Sequence, residues 1–372
     1  MTPFLDLGLS TQELRPEIDQ AVARVLDSGR YIGGAEVDEF EREFAVCCGA
    51  RFAVGVGNGL DAITLLLRAI GVGEGDEVIV PSNTYIATWL AVTATGARPV
   101  PAEPDPLTYN LDPEQAERSI TRRTKAILAV HLYGRKADVA SLRAVAERHG
   151  IELVMDAAQA HGIACEGISS AFSFYPSKNL GALGDGGAVV TDDLVLAEKI
   201  RNLGNYGSSR KYFHDVRGVN SRLDPLQAAI LRVKLRQLAR WNGRRNEIAA
   251  RYIRELNGIP GLVVPEATTS GERSGSPECV WHLFPVCHPD RDWLARELAR
   301  AGVGTLIHYP VPPHLSGAYA SAGFRRGEFP VAELIAAKEL SLPLHPHMTE
   351  EQVEEVIGSV CMAACLPLGA SA

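Results

Sequence analysis

Lys178, Asp156 and the glycine turn around Gly59 have the residue types and the surroundings for chemistry. Lys178 stands in FSFYPSKNLGALGDGGAVVT, after a strand-like run and a Pro turn and ahead of a Gly-rich stretch. A lysine on a loop is ordinarily solvated. Here Phe172, Phe174 and Tyr175 precede it. Such an apolar setting disfavours the ammonium and lowers its pKa, the condition a Schiff-base lysine needs. Asp156 ends the run at 152–155 and leads into Ala157-Ala158-Gln159-Ala160-His161. An acid at the carboxyl end of a parallel strand faces the crevice where ligands bind, although many such acids only cap the segment that follows. The third feature is VGVGNGLDA, in which Gly57, Gly59 and Ala62 satisfy G-x-G-x-x-A between a strand and a helix. A dinucleotide site also needs an acid at the far end of the next strand. That strand ends in Pro81-Ser82-Asn83, and its acids Asp76 and Glu77 precede it. The turn therefore reads as a phosphate cup at Gly59, Leu60 and Asp61, made by free N–H groups and the positive helix end. A tight turn without a ligand is the plainer alternative.

The elements that must carry these groups follow from hydrophobic periodicity. Residues 36–47 are amphipathic, 52–56 form a short apolar run, and 61–70 read as a helix ending at Gly71. Strands are expected at 78–80, 98–102, 125–131 and 152–155, with helices at 84–95 and 138–149. That alternation implies a mostly parallel sheet with helices on both faces. Strand-like runs at 171–175 and 187–191 are joined through the Gly-rich 181–187. Leu226, Ala229, Ile230 and Val233 predict one long amphipathic helix over 226–241, and 265–277 reads as an exposed loop. A smaller α+β unit follows, with a strand at 280–286 and helices at 291–301 and 350–361.

The 372 residues exceed one ordinary domain and suffice for two. A formal net charge of −8 disfavours nucleic acid and anionic membranes as partners. No apolar stretch reaches the roughly 18 residues that span a bilayer, and MTPFLDLGLS lacks the pattern of a secretory leader, so the cytoplasm is expected. The seven cysteines are scattered, without Cys-x-x-Cys, and read as buried free thiols. No histidine has a ligand partner at useful spacing, so no metal is expected.

Three long motifs in order, DAAQAHG from Asp156, EGISSAFSFYPSKNLGALGDGGAVVT, and GVNSRLDPLQAAILRVKL from Gly218, resemble the DegT/DnrJ/EryC1/StrS family. The resemblance runs from Phe4 to near Val356. It implies an α/β fold-type-I transferase using pyridoxal 5'-phosphate. The large domain over 1–243 would carry a mostly parallel seven-stranded sheet, with residues 1–30 free to pack elsewhere. A smaller α+β domain would cover 244–372. The activity implied is transfer of an amino group from an amino acid, glutamate, to a nucleotide-linked keto sugar in deoxysugar biosynthesis.

The resemblance also implies roles. Lys178 would hold the cofactor covalently and shuttle protons. Asp156 would pair with the pyridine nitrogen and keep it protonated, so that the ring accepts electrons. Gln159 would approach the ring's phenolic oxygen, and His161 would support the ring from behind. Tyr85 would stack on the ring face, although an aromatic there serves equally well as core. Gly59, Leu60 and Ser173 would hold the phosphate, completed by Asn220 of a second subunit in a homodimer with shared sites. A plain turn residue is the other reading of Asn220. His308 and Tyr309, in LIHYPVPPHL, fall in a segment that approaches the sugar in this family, while a core or loop role suits His308 equally. Relatives carry a longer hairpin where this chain has only 163–171, and the missing part would lie near the mouth of the site.

GNGLDA and HYPVPPHL resemble enzymes acting on carbon 3 of dTDP-linked 3-keto-6-deoxyhexoses, with carbon 4 enzymes next. Family dehydratases carry histidine in place of the lysine, which Lys178 argues against. A regulatory protein that keeps the fold without chemistry has no need of Asp156, Gln159 and Lys178 together. An NAD-dependent oxidoreductase lacks its ribose acid.

Overall fold

The structure, a computed structural model, describes residues 1–266 and 277–364. Most of the predicted 265–277 loop thus lies outside the described residues. Seven strands form the main sheet: β1 (Phe52–Val56), β2 (Glu77–Pro81), β3 (Arg98–Ala102), β4 (Thr124–Val130), β5 (Glu152–Asp156), β6 (Ser170–Ser173) and β7 (Gly187–Thr191). Their order is β1-β7-β6-β5-β4-β2-β3. All neighbours are parallel except β7, which runs antiparallel to both β1 and β6.

Alternation along each strand divides the core in two. Val54, Val78, Val80, Leu128, Val154 and Val189 face the helices Gly59–Ala69, Ile86–Ala94 and Leu194–Gly204. Ile79, Ile127, Ala129 and Met155 face the Val139–His149 helix on the other side, and Phe172 and Val190 face the Ala35–Cys47 helix. Both faces are covered, so the strands are apolar throughout and not alternating in sequence.

Past the sheet, a short antiparallel hairpin pairs β8 (Ser208–Arg210) with β9 (Phe213–His214). The smaller unit pairs β10 (Phe284–Cys287) antiparallel with β11 (Glu339–Leu342). It packs on the helices Leu238–Leu256, Arg291–Arg300 and Glu350–Ala364. No helix of the described residues is long and apolar enough to cross a membrane, and no metal-ligand cluster occurs among them. Six cysteines among the described residues are free thiols.

Two expectations fail locally. The helix predicted at 226–241 is two helices, Pro225–Leu235 and Leu238–Leu256. The first buries Ala229, Ile230 and Val233 against Ile18 and Val25, and the second turns to bury Ile248 and Tyr252 elsewhere. No Gly or Pro marks the junction at Arg236 and Gln237, so periodicity runs through it. The strand predicted at 280–286 begins only at Phe284. Before it the chain bends at Trp281, with φ +44°, and runs beside residues 133–136, where Val280 N–H donates to Gly134 O at 2.8 Å.

Candidate active site

The carboxyl ends of β1, β2, β4, β5 and β6 open on one side of the sheet, where ligands bind in open α/β folds. Asp156 ends β5, in register with Val130 of β4 and Ala171 of β6. It is buried. Its Oδ2 accepts from Thr88 Oγ1 at 2.8 Å and its Oδ1 from Ala158 N–H at 3.1 Å. Burial raises its pKa; Ala158 N–H, Thr88 and the charge of Lys178 oppose that rise. The carboxylate is thus held at a fixed place with little water around it.

Lys178 follows β6 through the Pro176 turn, where its N–H donates to Tyr175 O at 2.9 Å. Burial lowers its pKa to about 8, against the pull of Asp156. Its Nζ lies 3.5 Å from His282 Nε2. Neighbouring Asn179 fixes which ring nitrogen that is. Asn179 Nδ2 donates to Asn242 Oδ1 and Val280 O, both at 2.9 Å, so its Oδ1 faces His282 Nδ1 at 3.2 Å as an acceptor. Nδ1 then carries the proton, and the Nε2 lone pair points at the amine. Burial, then Lys178, then Arg245 hold His282 neutral, far below its usual range. Gly134 makes room for this approach: a Cβ there would meet His282 N at 2.7 Å, and its φ of +85° suits glycine.

The glycine turn and Ser173 come together. A Cβ on Gly59 would lie 2.6 Å from Ser173 Cβ, so only glycine fits against the end of β6. Asn58 caps the Gly59–Ala69 helix, its Oδ1 accepting Asp61 N–H at 2.8 Å. Asp61 N–H is therefore engaged, and the cup narrows to the N–H groups of Gly59 and Leu60 beside the Ser173 hydroxyl. Helix dipole and free donors suit an anion there.

Gln159 is tied at both ends. Its Oε1 accepts Tyr133 N–H at 2.5 Å, and its Nε2 donates to Tyr309 Oη at 3.2 Å. The Tyr309 ring lies 5.1 Å from that of Tyr85, which is 52% exposed at the carboxyl end of β2. His161 is wholly buried between Phe172 and Phe174, with ring centroids at 5.4 and 5.9 Å. The His308 ring stands edge-on to that of Tyr309, with centroids 5.4 Å apart. Its Nδ1 is 2.9 Å from Ser341 Oγ, and its N–H donates to Glu339 Oε2 at 2.6 Å. It also lines a cavity next to the amine together with His282 and Arg245.

Asn220 is exposed, and the structure does not bring its side chain to the cup of its own chain. The adjacent Ser221 reaches the start of the glycine turn, its Oγ accepting Gly57 N–H at 2.9 Å. The 163–171 segment that is present leads back to the amino end of β6. Because β6 is parallel to β5, the chain must return to the opposite edge before Ser170, and Gly167 and Ser169 line a depression there with Glu152 and Thr191.

Thr88, Asn179, His282 and Tyr133 were not singled out from sequence. Thr88 lies one helical turn after Tyr85, a spacing that puts both on one face and was legible. His282 sits in VWHLFPV, which reads as strand, and nothing in the sequence marks the bend at Trp281.

The sequence profile of the DegT/DnrJ/EryC1/StrS aminotransferase family matches residues 12–361. The chain is 54% identical to the erythromycin biosynthesis sensory transduction protein EryC1 of Saccharopolyspora erythraea, over 96% of this chain and 98% of that one. It is 53% identical to the dTDP-3-amino-3,4,6-trideoxy-alpha-D-glucose transaminase of Streptomyces venezuelae, over 96% of this chain and 95% of that one. The crystal structure of DesV from S. venezuelae superposes with a TM-score of 0.95 at 52% identity, covering 98% of this chain and 99% of that one. A crystal structure of NtdA from Bacillus subtilis with bound cofactor PMP superposes at 0.91 and 31% identity, covering 98% of this chain and 85% of that one.

Proposed function

Since the chain belongs to the DegT/DnrJ/EryC1/StrS aminotransferase family, we propose that it moves an amino group from glutamate to carbon 3 of a dTDP-linked 3-keto-6-deoxyhexose. It is a sugar aminotransferase, and its cofactor is pyridoxal 5'-phosphate. The observation that carries the chemistry is a lysine amine with its pKa lowered to about 8, poised on the same side of the sheet as the buried Asp156. Carbon 3 rests on the likeness to the S. venezuelae transaminase. One relative bears a sensory-transduction name. A sensor has no use for a desolvated amine and a buried carboxylate held together, so the enzymatic reading is preferred.

The residues fit the cofactor. Gly59 and Leu60 present free N–H groups, and Ser173 presses against Gly59 as a phosphate cup requires. Asp156 offers a buried carboxylate for the ring nitrogen, and the Tyr85 ring covers one side of the opening. When bound, pyridoxal phosphate supplies an electron sink and a carbonyl that carries the amino group between substrates.

The chain's own groups do the rest. Asp156, oriented by Thr88 and Ala158, would hold a proton on the ring nitrogen by a charge-assisted hydrogen bond. Lys178 Nζ takes the proton from the donor's α-carbon and later delivers one to carbon 3 of the sugar. A pKa near 8 keeps both protonation states of that amine accessible at neutral pH. The neutral His282 holds Nζ in place through its Nε2 lone pair. Gln159 orients Tyr309 through its Nε2, and His308 with Tyr309 would contact the sugar.

The enzyme would be a cytoplasmic homodimer whose Asn220 reaches the partner's cup. In support, Asn220 is exposed, and Tyr206, Tyr212, Phe213, Val216 and Val219 expose apolar surface close to it in sequence. The chain would divide into a large cofactor-binding domain over 1–243 and a small one over 244–372. The test is turnover with glutamate against 3-keto and 4-keto sugars linked to dTDP and to UDP. Amination of the dTDP-linked 3-keto sugar is expected, and turnover confined to 4-keto sugars would overturn the assignment of position.

A further inference from the structure

Beside the reaction centre lies a cavity of about 300 Å³, lined by Phe4, Leu5, Leu306, Leu342 and Leu344 and, on its polar wall, by Ser177, His282, His308 and Arg245. Ser177 precedes Lys178, and His282 touches its Nζ, so the cavity adjoins the amine. Arg245 lies on the buried face of the Leu238–Leu256 helix, one turn after Asn242. It is 5% exposed. Among the described residues neither its Nε nor its Nη1 finds a hydrogen-bond partner, and no carboxylate pairs with it. Burial alone lowers its pKa, to about 9, so it remains a cation at neutral pH. Its neighbours His282, His161 and His345 are all held neutral, firstly by burial.

A buried cation without a counter-charge is costly, and folded chains rarely keep one. A guanidinium offers a planar fork that matches a carboxylate. The cavity is at the small end of ligand clefts and mostly apolar, which suits the methylenes of an amino acid and leaves no room for a nucleotide. We propose that Arg245 binds a carboxylate of the amino-acid donor, with this cavity as the donor subsite. The proposal rests on the aminotransferase reading, and it concerns the first half-reaction only.

The two halves can be measured apart on the holoenzyme by cofactor absorbance. One is the reaction with glutamate. The other is the reaction of the amine-loaded enzyme with keto sugar. Arg245→Gln should weaken glutamate roughly 10- to 100-fold, the range that a hydrogen bond to a charged group carries. The sugar half should stay within about threefold, and Arg245→Lys should fall between. Equal weakening of both halves, or an unchanged glutamate half, would overturn the subsite. Should Arg245→Gln fail to fold, Leu306→Trp narrows the cavity from a half-exposed position while keeping the arginine. It should weaken glutamate and the unreactive dicarboxylate glutarate, the latter read by calorimetry, and an unchanged affinity for both would count against the proposal. A wild-type enzyme that reacts with glutamate but with no keto sugar would overturn the proposed acceptor while leaving the donor subsite standing.

Discussion

Asp156 and Lys178 are shifted in opposite directions by one cause, the loss of water, and each moderates the other. For Lys178 the consequence is a neutral fraction that grows as pH rises through about 8. Only the neutral amine attacks a carbonyl. Covalent capture of pyridoxal phosphate by cofactor-free protein should therefore speed up from pH 7 and level off above about 8, followed by absorbance. A midpoint near 10, the value of a solvated lysine, would show that Lys178 is not the desolvated amine described above. Asp156→Asn should leave the cofactor bound and slow transamination roughly 100-fold, about 3 kcal/mol, because an amide cannot hold the ring nitrogen protonated. Turnover within a few-fold of wild type would make Asp156 a cap for the following segment.

At the scale of elements, the site is an arrangement of strand ends, and close approach between them is what can be broken. Gly59→Ala puts a Cβ 2.6 Å from Ser173 Cβ, which forces the helix start away from β6. The variant should lose cofactor affinity at least tenfold and lower Tm by a few degrees, the result of about 1–2 kcal/mol of strain. Adding Ser173→Gly should restore Tm but not affinity, since it removes the obstruction and a hydroxyl of the cup together. Recovery of both would mean that Ser173 is packing alone. The strand-to-helix alternation, Asp156 at a strand end and Lys178 in its aromatic setting were legible because each is written in a few adjacent residues. His282 was not, since its place depends on Trp281 bending past Gly134, a contact made between residues nearly 150 apart in sequence. Arg245 was not legible either. In RWNGRRNE it looks like one more solvated charge, and only the packing of its helix turns it inward.

For the whole molecule, the proposed shared-site dimer makes a prediction that a single chain cannot. Lys178→Ala and Asn220→Trp should each be inactive. After subunit exchange, a one-to-one mixture should recover about a quarter of wild-type activity, because each mixed dimer combines both defects in one site and spares the other. No recovery, with exchange confirmed by mass, would show that each chain completes its own cup. The Leu238–Leu256 helix carries a different consequence. Leu238 and Trp241 pack with the N-terminal cores, whereas Ile248, Tyr252 and Leu256 pack in the core of β10 and β11. The proposed boundary at 243/244 falls between these two sets, inside one hydrogen-bonded rod. Melting either core frays the rod that supports the other, so the two halves are expected to denature in one cooperative transition. One helix thus ties the fate of the sheet's cores to that of the β10–β11 core.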